Sequence, residues 1–342
     1  MKKLLNFVLF LTLCAISMPV LTVGLAAEEE MPVFVQPEAF VSETVLTQPQ
    51  SQPKPGFDDD TMVTLLCGGT IRELPLEEYL LGVLAAEMPA GFPEEALKAQ
   101  AVAARTYTLY KMALYAEGQD TVHQGADLCD DPGHCEAFAD LTTQAAALWG
   151  DSADIYRQRL QTAVEETDGL ILVYEEQPIA AVFCAASTEK TESAKDSWGS
   201  DLPYLVSVES PGGRDCSRFE GTVTVAQTAF AAAVQAQFPD ADFSEAPITW
   251  FRDSHRSEAG SVIDVLVGGV RLSGSQVRQI AGLNSANLTV KVQGGDLVFS
   301  TVGYGHGVGL SQYGARFLAL DGQTYDQILS HYYPGTQLRL EG

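Results

Sequence analysis

Residues 76–107, LEEYLLGVLAAEMPAGFPEEALKAQAVAARTY, constrain this chain more than any other stretch. They predict two helices joined by a tight break. Leu76, Leu80, Val83 and Leu84 recur at helical spacing and make one apolar face. Pro89 and Gly91 end the first helix. Pro93 suits the first turn of the second, with Glu94 and Glu95 beside its positive end. Ala96, Ala99, Ala101, Ala103 and Ala104 keep that helix thin, so other elements can pack closely on it. Gln100 and Arg105 are its conspicuous polar residues. Glu87 follows Val83 and Leu84 by four and three residues, so it shares the apolar face. Two readings are open. A helix-terminal glutamate ordinarily swings out to water. A carboxyl kept among apolar neighbours has a raised pKa and can act as a general acid near neutrality.

The chain has 342 residues, 46% apolar, with a formal charge of −25. That charge argues against nucleic acid or an anionic lipid surface as partner. An anionic glycan would have to be met by local positive residues. At the N-terminus, Lys2 and Lys3 precede an apolar run from Leu4 to about Ala27. Residues 1–27 read as a secretory signal or a membrane anchor, a buried core helix being the plainer alternative. The length favours an uncleaved anchor, whereas Gly24-Leu25-Ala26 offers a cleavage site. On either targeting reading the body is exported. Residues 28–60 are acidic and rich in Pro, Gln and Ser, the composition of a flexible linker.

Beyond the linker, residues 61–340 read as an α+β domain, with helices packed on antiparallel or mixed sheet around one cleft. Strands are expected at Thr61–Cys67 and Arg72–Leu76 about a Gly68-Gly69 turn. Residues 139–168 read as helix interrupted at Trp149 and Gly150. A hairpin is expected from Gly169–Tyr174 and Ile179–Ala185, and a strand at Leu202–Ser210. Residues 221–300 predict a helix followed by strands, as scaffold or subdomain. A helix near Tyr325–Tyr333 and a short strand close the chain.

Between about residues 120 and 138, His123, Cys129, His134 and Cys135 form the pattern H-x5-C-x4-H-C. Two imidazoles and two thiols make a complete tetrahedral zinc set, closed to water and therefore structural. A Cys129–Cys135 disulfide is the rival in an exported protein, but it explains neither histidine. Isolated surface histidines are the plainest alternative. A Cys184–Cys216 disulfide is also open, since sequence does not establish pairing. Gly303–Ala315, GYGHGVGLSQYGA, carries glycine at 303, 305, 307, 309 and 314, which lets backbone approach a ligand. His306, Ser311, Gln312 and Tyr313 offer hydrogen bonds there. A tight structural turn is the competing reading, and the Gly-Lys-Ser/Thr ending of a phosphate loop is absent.

The first stretch resembles the signature of the stage II sporulation protein D family of peptidoglycan lytic transglycosylases. GHGVGLSQYGA resembles the second hallmark of that family, over 200 residues further on. The likeness covers roughly residues 61–340. It implies that Glu87 is the catalytic acid/base and that the metal loop holds zinc. Residues 187–199, STEKTESAKDSWG, resemble a segment that lines the glycan cleft, although family members often have Gly-Gly where this chain has Thr188 and Glu189. Ser187, Glu192 and Trp198 then join Gln100, Arg105, His306, Ser311, Gln312 and Tyr313 as candidate substrate-binding residues. A solvated loop is the alternative for the segment, and a core plug for Trp198. The implied reaction cleaves the bond between N-acetylmuramic acid and N-acetylglucosamine in denuded peptidoglycan strands, beside an amidase of the stage II sporulation protein P type. A zinc amidase is a rival, opposed by the closed ligand set. A non-catalytic glycan-binding or amidase-activating module is another.

Overall fold

The computed structural model describes residues 61–115 and 122–340. The expected anchor at 1–27 and linker at 28–60 lie outside the described residues. Among those described, no helix is long and apolar enough to cross a membrane.

The architecture is mixed α+β, built of several small sheets. Its centre is the alanine-rich helix α2 (Glu94–Tyr115), buried on every side from Ala96 to Lys111. Small side chains allow this, because neighbouring elements can approach its backbone from all directions. Around it stand α1 (Leu76–Glu87), α4 (Ala153–Glu165) and strand β4 (Leu170–Tyr174), with α3 (Ala145–Trp149) packed on α4. A hairpin of β1 (Met62–Cys67) and β2 (Thr70–Pro75) leads into α1. The short strand β3 (Leu128–Cys129) adds in parallel to β1 and carries the first cysteine of the metal motif.

Two expected strands are absent, for identifiable reasons. The hairpin after β4 turns at Glu175 and Glu176, both at positive φ, but its return strand β5 is only Gln177–Pro178. Pro178 has no N–H to continue the ladder. The chain then leaves, and β6 (Phe183–Cys184) pairs in parallel with β13 (Leu310–Ser311) of the glycine-rich loop. Leu202–Ser210 forms no strand. Pro203 interrupts it, and its backbone bonds go to the 189–194 turn: Thr191 and Ala194 donate to the carbonyls of Val208 and Leu205, and Ser210 to that of Glu189.

Residues 220–302 have an apolar cluster of their own, including Phe230, Val234, Trp250, Val267, Leu272 and Phe299. It lies among β7 (Glu220–Ala226), α6 (Gln227–Gln237), β8 (Phe251–Arg256), β9 (Val262–Val267), β10 (Val270–Ser273), α7 (Gly274–Ala281), β11 (Leu288–Gln293) and β12 (Asp296–Val302). The sheets run in the orders β10-β9-β8 and β11-β12-β7. Helix α7 starts with a full capping box from Ser273 and Gln276. Helices α8 (Gln312–Leu320) and α9 (Tyr325–Tyr332) return to pack on α2, and β14 (Gln337–Leu340) pairs with β4.

One glycine decides how the 123–139 loop meets α1. A Cβ on Gly82 of α1 would lie 2.3 Å from Phe138 Cε2 and 2.9 Å from the Ala139 carbonyl oxygen. The bare backbone lets Ala139 N–H donate to the Gly82 carbonyl at 3.1 Å, while Phe138 stacks on Tyr79. Gly82→Ala therefore forces the 137–139 segment away from α1. The expected cost is about 1–3 kcal/mol of unfolding free energy, the usual range for overpacking, read by urea titration. An unchanged midpoint and slope would mean that the segment yields freely.

Candidate functional site

Glu87 is the last residue of α1, half-buried at the helix end. Oε1 accepts the Ala137 N–H at 2.9 Å. No donor among the described residues reaches Oε2. Burial pushes the carboxyl up to about 7, against the smaller downward pull of the Ala137 amide. An uncompensated desolvated carboxyl of this kind holds its proton near neutrality and can give it away.

The residue that fixes Glu87, Ala137, lies two positions past the last residue of the metal motif. The ligand atoms of His123, Cys129, His134 and Cys135 all lie within 4.8 Å of one another. His123 Nε2 is 3.0 Å from His134 Nδ1 and 3.1 Å from Cys135 Sγ, and His134 Nδ1 is 3.6 Å from Cys129 Sγ. Bonds of zinc length in a tetrahedron would place such atoms roughly 3.3–3.8 Å apart. The donor set and its spacing fit a metal ion held by all four side chains. Both cysteines are free, so the disulfide reading is not realised. Hydrogen bonds from Cys135, then from the two histidines, pull the Cys129 thiol down against its burial, as a thiolate ligand requires. The loop itself is pinned from outside. Asp127 Oδ2 accepts the Thr64 N–H at 2.9 Å and its hydroxyl at 2.6 Å. Lys111 Nζ donates to the His134 carbonyl at 2.6 Å and lies over the Tyr115 ring, which stacks on His134.

Glu136, between the last ligand and Ala137, had no distinguishing pattern in the sequence beyond its place. It is 2% exposed. Thr108 Oγ1 donates to its Oε2 at 2.8 Å, and Oε1 is buried without a partner. Burial pushes this carboxyl well above the carboxylate range, against the Thr108 bond, and nearby Glu87 adds to the rise. Two buried carboxyls thus flank the same segment, and only Glu87 is open to a ligand.

The glycine-rich loop lines a small cleft through His306. Gly309, at φ 72°, passes so close to the chain that a Cβ would lie 2.0 Å from the Val182 oxygen. Gly307 accepts the Glu192 N–H through its carbonyl at 2.8 Å. Glu192 is 4% exposed; its Oε1 accepts the Ser261 N–H at 3.2 Å and its Oε2 has no hydrogen-bond partner. His306 lies beside it along a small cleft that Arg278 and Ser197 also line. Burial, then the Arg278 charge, holds the imidazole down to about 3, so it is neutral at physiological pH. Its Nδ1 accepts the Val308 N–H at 3.1 Å, and its ring lies 5.1 Å from that of Trp198. Trp198, at the end of α5 (Ala194–Trp198), is half-buried against the core and the imidazole together. Tyr313 packs edge-on against Phe92 at 5.1 Å, joining α8 to the break between α1 and α2. Thr188 and Glu189 both keep ordinary negative φ, so glycine is not needed there.

Three expected wall residues belong to the interior instead. Arg105 is 1% exposed. Its guanidinium pairs with Glu77 and donates to the carbonyls of Thr167, Val164 and Leu170, which ties α1 and the end of α4 to α2. Ser187 donates to Ser210 Oγ at 2.6 Å, and Ser210 meets Tyr332 OH at 3.0 Å. Ser311 caps α8 and accepts the N–H groups of Ser187 and Gly314. These two serines are satisfied by protein and closed to ligand. Gln100 is fully buried with both amide atoms unpartnered, and Gln312 is 4% exposed at the start of α8.

A half-buried glutamate held by the segment that follows a cluster of four metal-ligating side chains, and a glycine-rich loop that lines a small cleft, are the two candidate parts of this α+β protein. The family model for SpoIID, "Stage II sporulation protein", matches residues 68–174, which contain both the glutamate and the cluster. The chain is 35% identical over 313 residues to stage II sporulation protein D of Bacillus subtilis (strain 168), covering 91% of this chain and 85% of that one. It is 35% identical over 269 residues to stage II sporulation protein D of Bacillus amyloliquefaciens, covering 79% and 75%. The amidase enhancer of Bacillus subtilis (strain 168) is 28% identical over 310 residues, 76% of this chain and 40% of that protein. The chain belongs to the stage II sporulation protein D family.

Proposed function

We propose that this chain is a lytic transglycosylase of denuded peptidoglycan, acting at the cell wall during sporulation. The observation that carries the reading is Glu87: a half-buried carboxyl raised to about 7, anchored through one oxygen, with no second reachable carboxylate beside it among the described residues. Most hydrolytic glycosidases use two carboxylates. Glu136 and Glu192, at 2% and 4% exposure, are not placed to activate water. One carboxyl suffices if the substrate supplies the nucleophile. Protonated Glu87 gives its proton to the glycosidic oxygen as the bond to muramic acid C1 breaks. The carboxylate then takes the proton of the C6 hydroxyl as that oxygen closes on C1. A 1,6-anhydro sugar forms and no water is consumed.

His123, Cys129, His134 and Cys135 would hold one zinc ion per chain, as scaffold for the 135–139 segment. Trp198, His306, Glu192, Gln312 and Tyr313 are the proposed cleft residues, and Gln100, fully buried, is not among them. The sequence of residues 1–27 supports an exported protein anchored in the membrane and facing the wall, working with an amidase of the stage II sporulation protein P type. Mass spectrometry of digested glycan tests the reaction: its new muramic acid ends should be one water lighter than reducing ends. Reducing ends instead would point to hydrolysis. The likeness to a protein named as an amidase enhancer favours one alternative, a non-catalytic glycan-binding or amidase-activating role. Intact strands after incubation with purified protein would favour that alternative.

A further inference from the structure

The small cleft beside His306 lies where the glycine-rich loop meets residues 257–286, and three kinds of group line it. The first is an acceptor. Glu192 bridges the two sides: its N–H donates to the Gly307 carbonyl at 2.8 Å, and its Oε1 accepts the Ser261 N–H at 3.2 Å. Its Oε2 is buried and has no hydrogen-bond partner among the described residues. A buried carboxylate oxygen without a donor is costly. A group that enters the cleft can supply that donor. The second is a cation. Arg278, in the last turn of α7, lines the same cleft, and its Nε donates to the Leu283 carbonyl at 3.2 Å. Burial pulls the guanidinium down to about 10, which leaves it charged at physiological pH. The third is an apolar side made by Val262, Ile263 and Ala286. The Val262 N–H donates to the Ala286 carbonyl at 2.9 Å, which holds this side together. Asp196 also lines the cleft, with its Oδ2 accepting the Ser193 hydroxyl at 2.9 Å.

These groups specify a ligand. A carboxylate oxygen takes an N–H or O–H, a guanidinium takes an acceptor, and an apolar side takes a small hydrocarbon group. An acetamido group presents all three, as its N–H, its carbonyl and its methyl. A hydroxyl leaves the apolar side uncovered. An ammonium can donate to Glu192, but it brings a second positive charge beside Arg278 and has neither an acceptor nor a methyl. Both sugars of the strand carry an acetamido group on C2. Tyr304 relates this cleft to the acid. Burial raises its phenol, and among the smaller influences Arg278 lowers it and Glu87 raises it. Glu87 and Arg278 are thus within electrostatic reach of one ring.

We propose that this cleft binds a 2-acetamido group of the strand, with Glu192 accepting its N–H, Arg278 facing its carbonyl, and Val262 and Ile263 receiving its methyl. The chain therefore prefers N-acetylated strands to de-N-acetylated ones. The inference rests on the glycan-strand reading above and names the group by which the cleft recognises a sugar.

The test is a binding measurement in the Glu87→Gln background, where turnover is suppressed. Strands of one length are prepared with free amines on C2, or with those amines acylated as formamides, acetamides or propionamides, and compared by calorimetry. The acetamide should bind at least about tenfold more tightly than the amine, the worth of one hydrogen bond to a charged group. The formamide, which lacks the methyl, and the propionamide, which adds a methylene, should each bind about threefold or more weakly than the acetamide, the scale of one methylene. Strands with free amines on the glucosamine units alone, or on the muramic acid units alone, separate the two sugars: the loss should follow one of them. Adding Arg278→Gln should bring acetamide and amine to within about twofold. If that variant melts early by circular dichroism, the three neutral amides carry the test without it. Equal affinity for acetamide and amine, equal affinity across the three amides, or discrimination that survives Arg278→Gln overturns the assignment. Protein with Glu87 intact that cuts acetamide and amine strands equally refutes the cleft assignment alone. Strands bound with the expected preference but left uncut refute the transglycosylase alone.

Discussion

Glu87→Gln should retain the fold and glycan binding and lose at least about a hundredfold in turnover, the usual worth of a positioned acid/base. The substitution is chosen because it is isosteric. The amide oxygen can still accept the Ala137 N–H, so the 135–139 segment keeps its hold on α1. What disappears is the proton. The same residue sets a pH dependence whose sign follows from its raised pKa. In the folded protein the acid form is lost as pH rises through about 7. Activity that needs protonated Glu87 should fall above that pH and lose this limb in the variant. Stability moves the same way. The folded state holds the proton up to about 7, while an unfolded carboxyl releases it near 4.5. The stabilisation is complete below the lower value and lost as pH rises through the upper one. Glu87→Gln should therefore melt close to wild type at pH 4 and above it at pH 8. Full turnover in the variant, or a wild-type melting temperature flat between those pH values, would show that Glu87 is an ordinary surface glutamate.

The parts of this site that could be read from sequence are those where local pattern carries the information. Pro89 and Pro93 marked the break between α1 and α2, and the helices end and begin there. The shared face of Val83, Leu84 and Glu87 located a carboxyl among apolar neighbours. The H-x5-C-x4-H-C motif is compact enough that its four side chains converge. Other parts depend on contacts between distant segments. Gly82 looked like any helical glycine until Phe138 was seen lying where its side chain would be. Glu136 is hidden by Thr108, which is 28 positions earlier and belongs to a different element. Arg105 was conspicuous as a polar residue in an alanine-rich helix, and the reading as a cleft residue followed from that contrast. Its partners at Glu77, Val164, Thr167 and Leu170 explain the contrast as a structural knot instead. Ser187 and Ser311 were expected to bind ligand, but they bond to each other and to Ser210. Leu202–Ser210 has the alternation of a strand, but no neighbouring strand is placed to receive it, and the 189–194 turn takes its hydrogen bonds.

Stripping metal from the four-ligand cluster should unfold the 123–139 region and silence Glu87 together. Each ligand binds best deprotonated or neutral, and the ion's binding free energy enters folding directly. Among the described residues the loop carries little regular structure: β3 is two residues long, and the other ties are single contacts, Asp127 to Thr64 of β1, Lys111 to the His134 carbonyl and Ala139 to Gly82. Chelation, Cys129→Ser or His134→Ala should thus lower metal content from about one ion per chain. Each should also lower the melting temperature by about 10 °C or more, the equivalent of several kcal/mol in a domain of this size. The link to the proposed acid is the Ala137 amide, two residues past Cys135, the one hydrogen bond among the described residues that draws the Glu87 pKa down. If the loop loosens while α1 stays folded, that pull is lost. The acid limb of the activity profile should then move to higher pH as the rate falls. Inductively coupled plasma mass spectrometry, calorimetry and the pH profile, measured on the same samples, read the three effects. Metal-free protein with an unaltered melting temperature and an unshifted limb would separate the cluster from both the fold and the acid it is placed to brace.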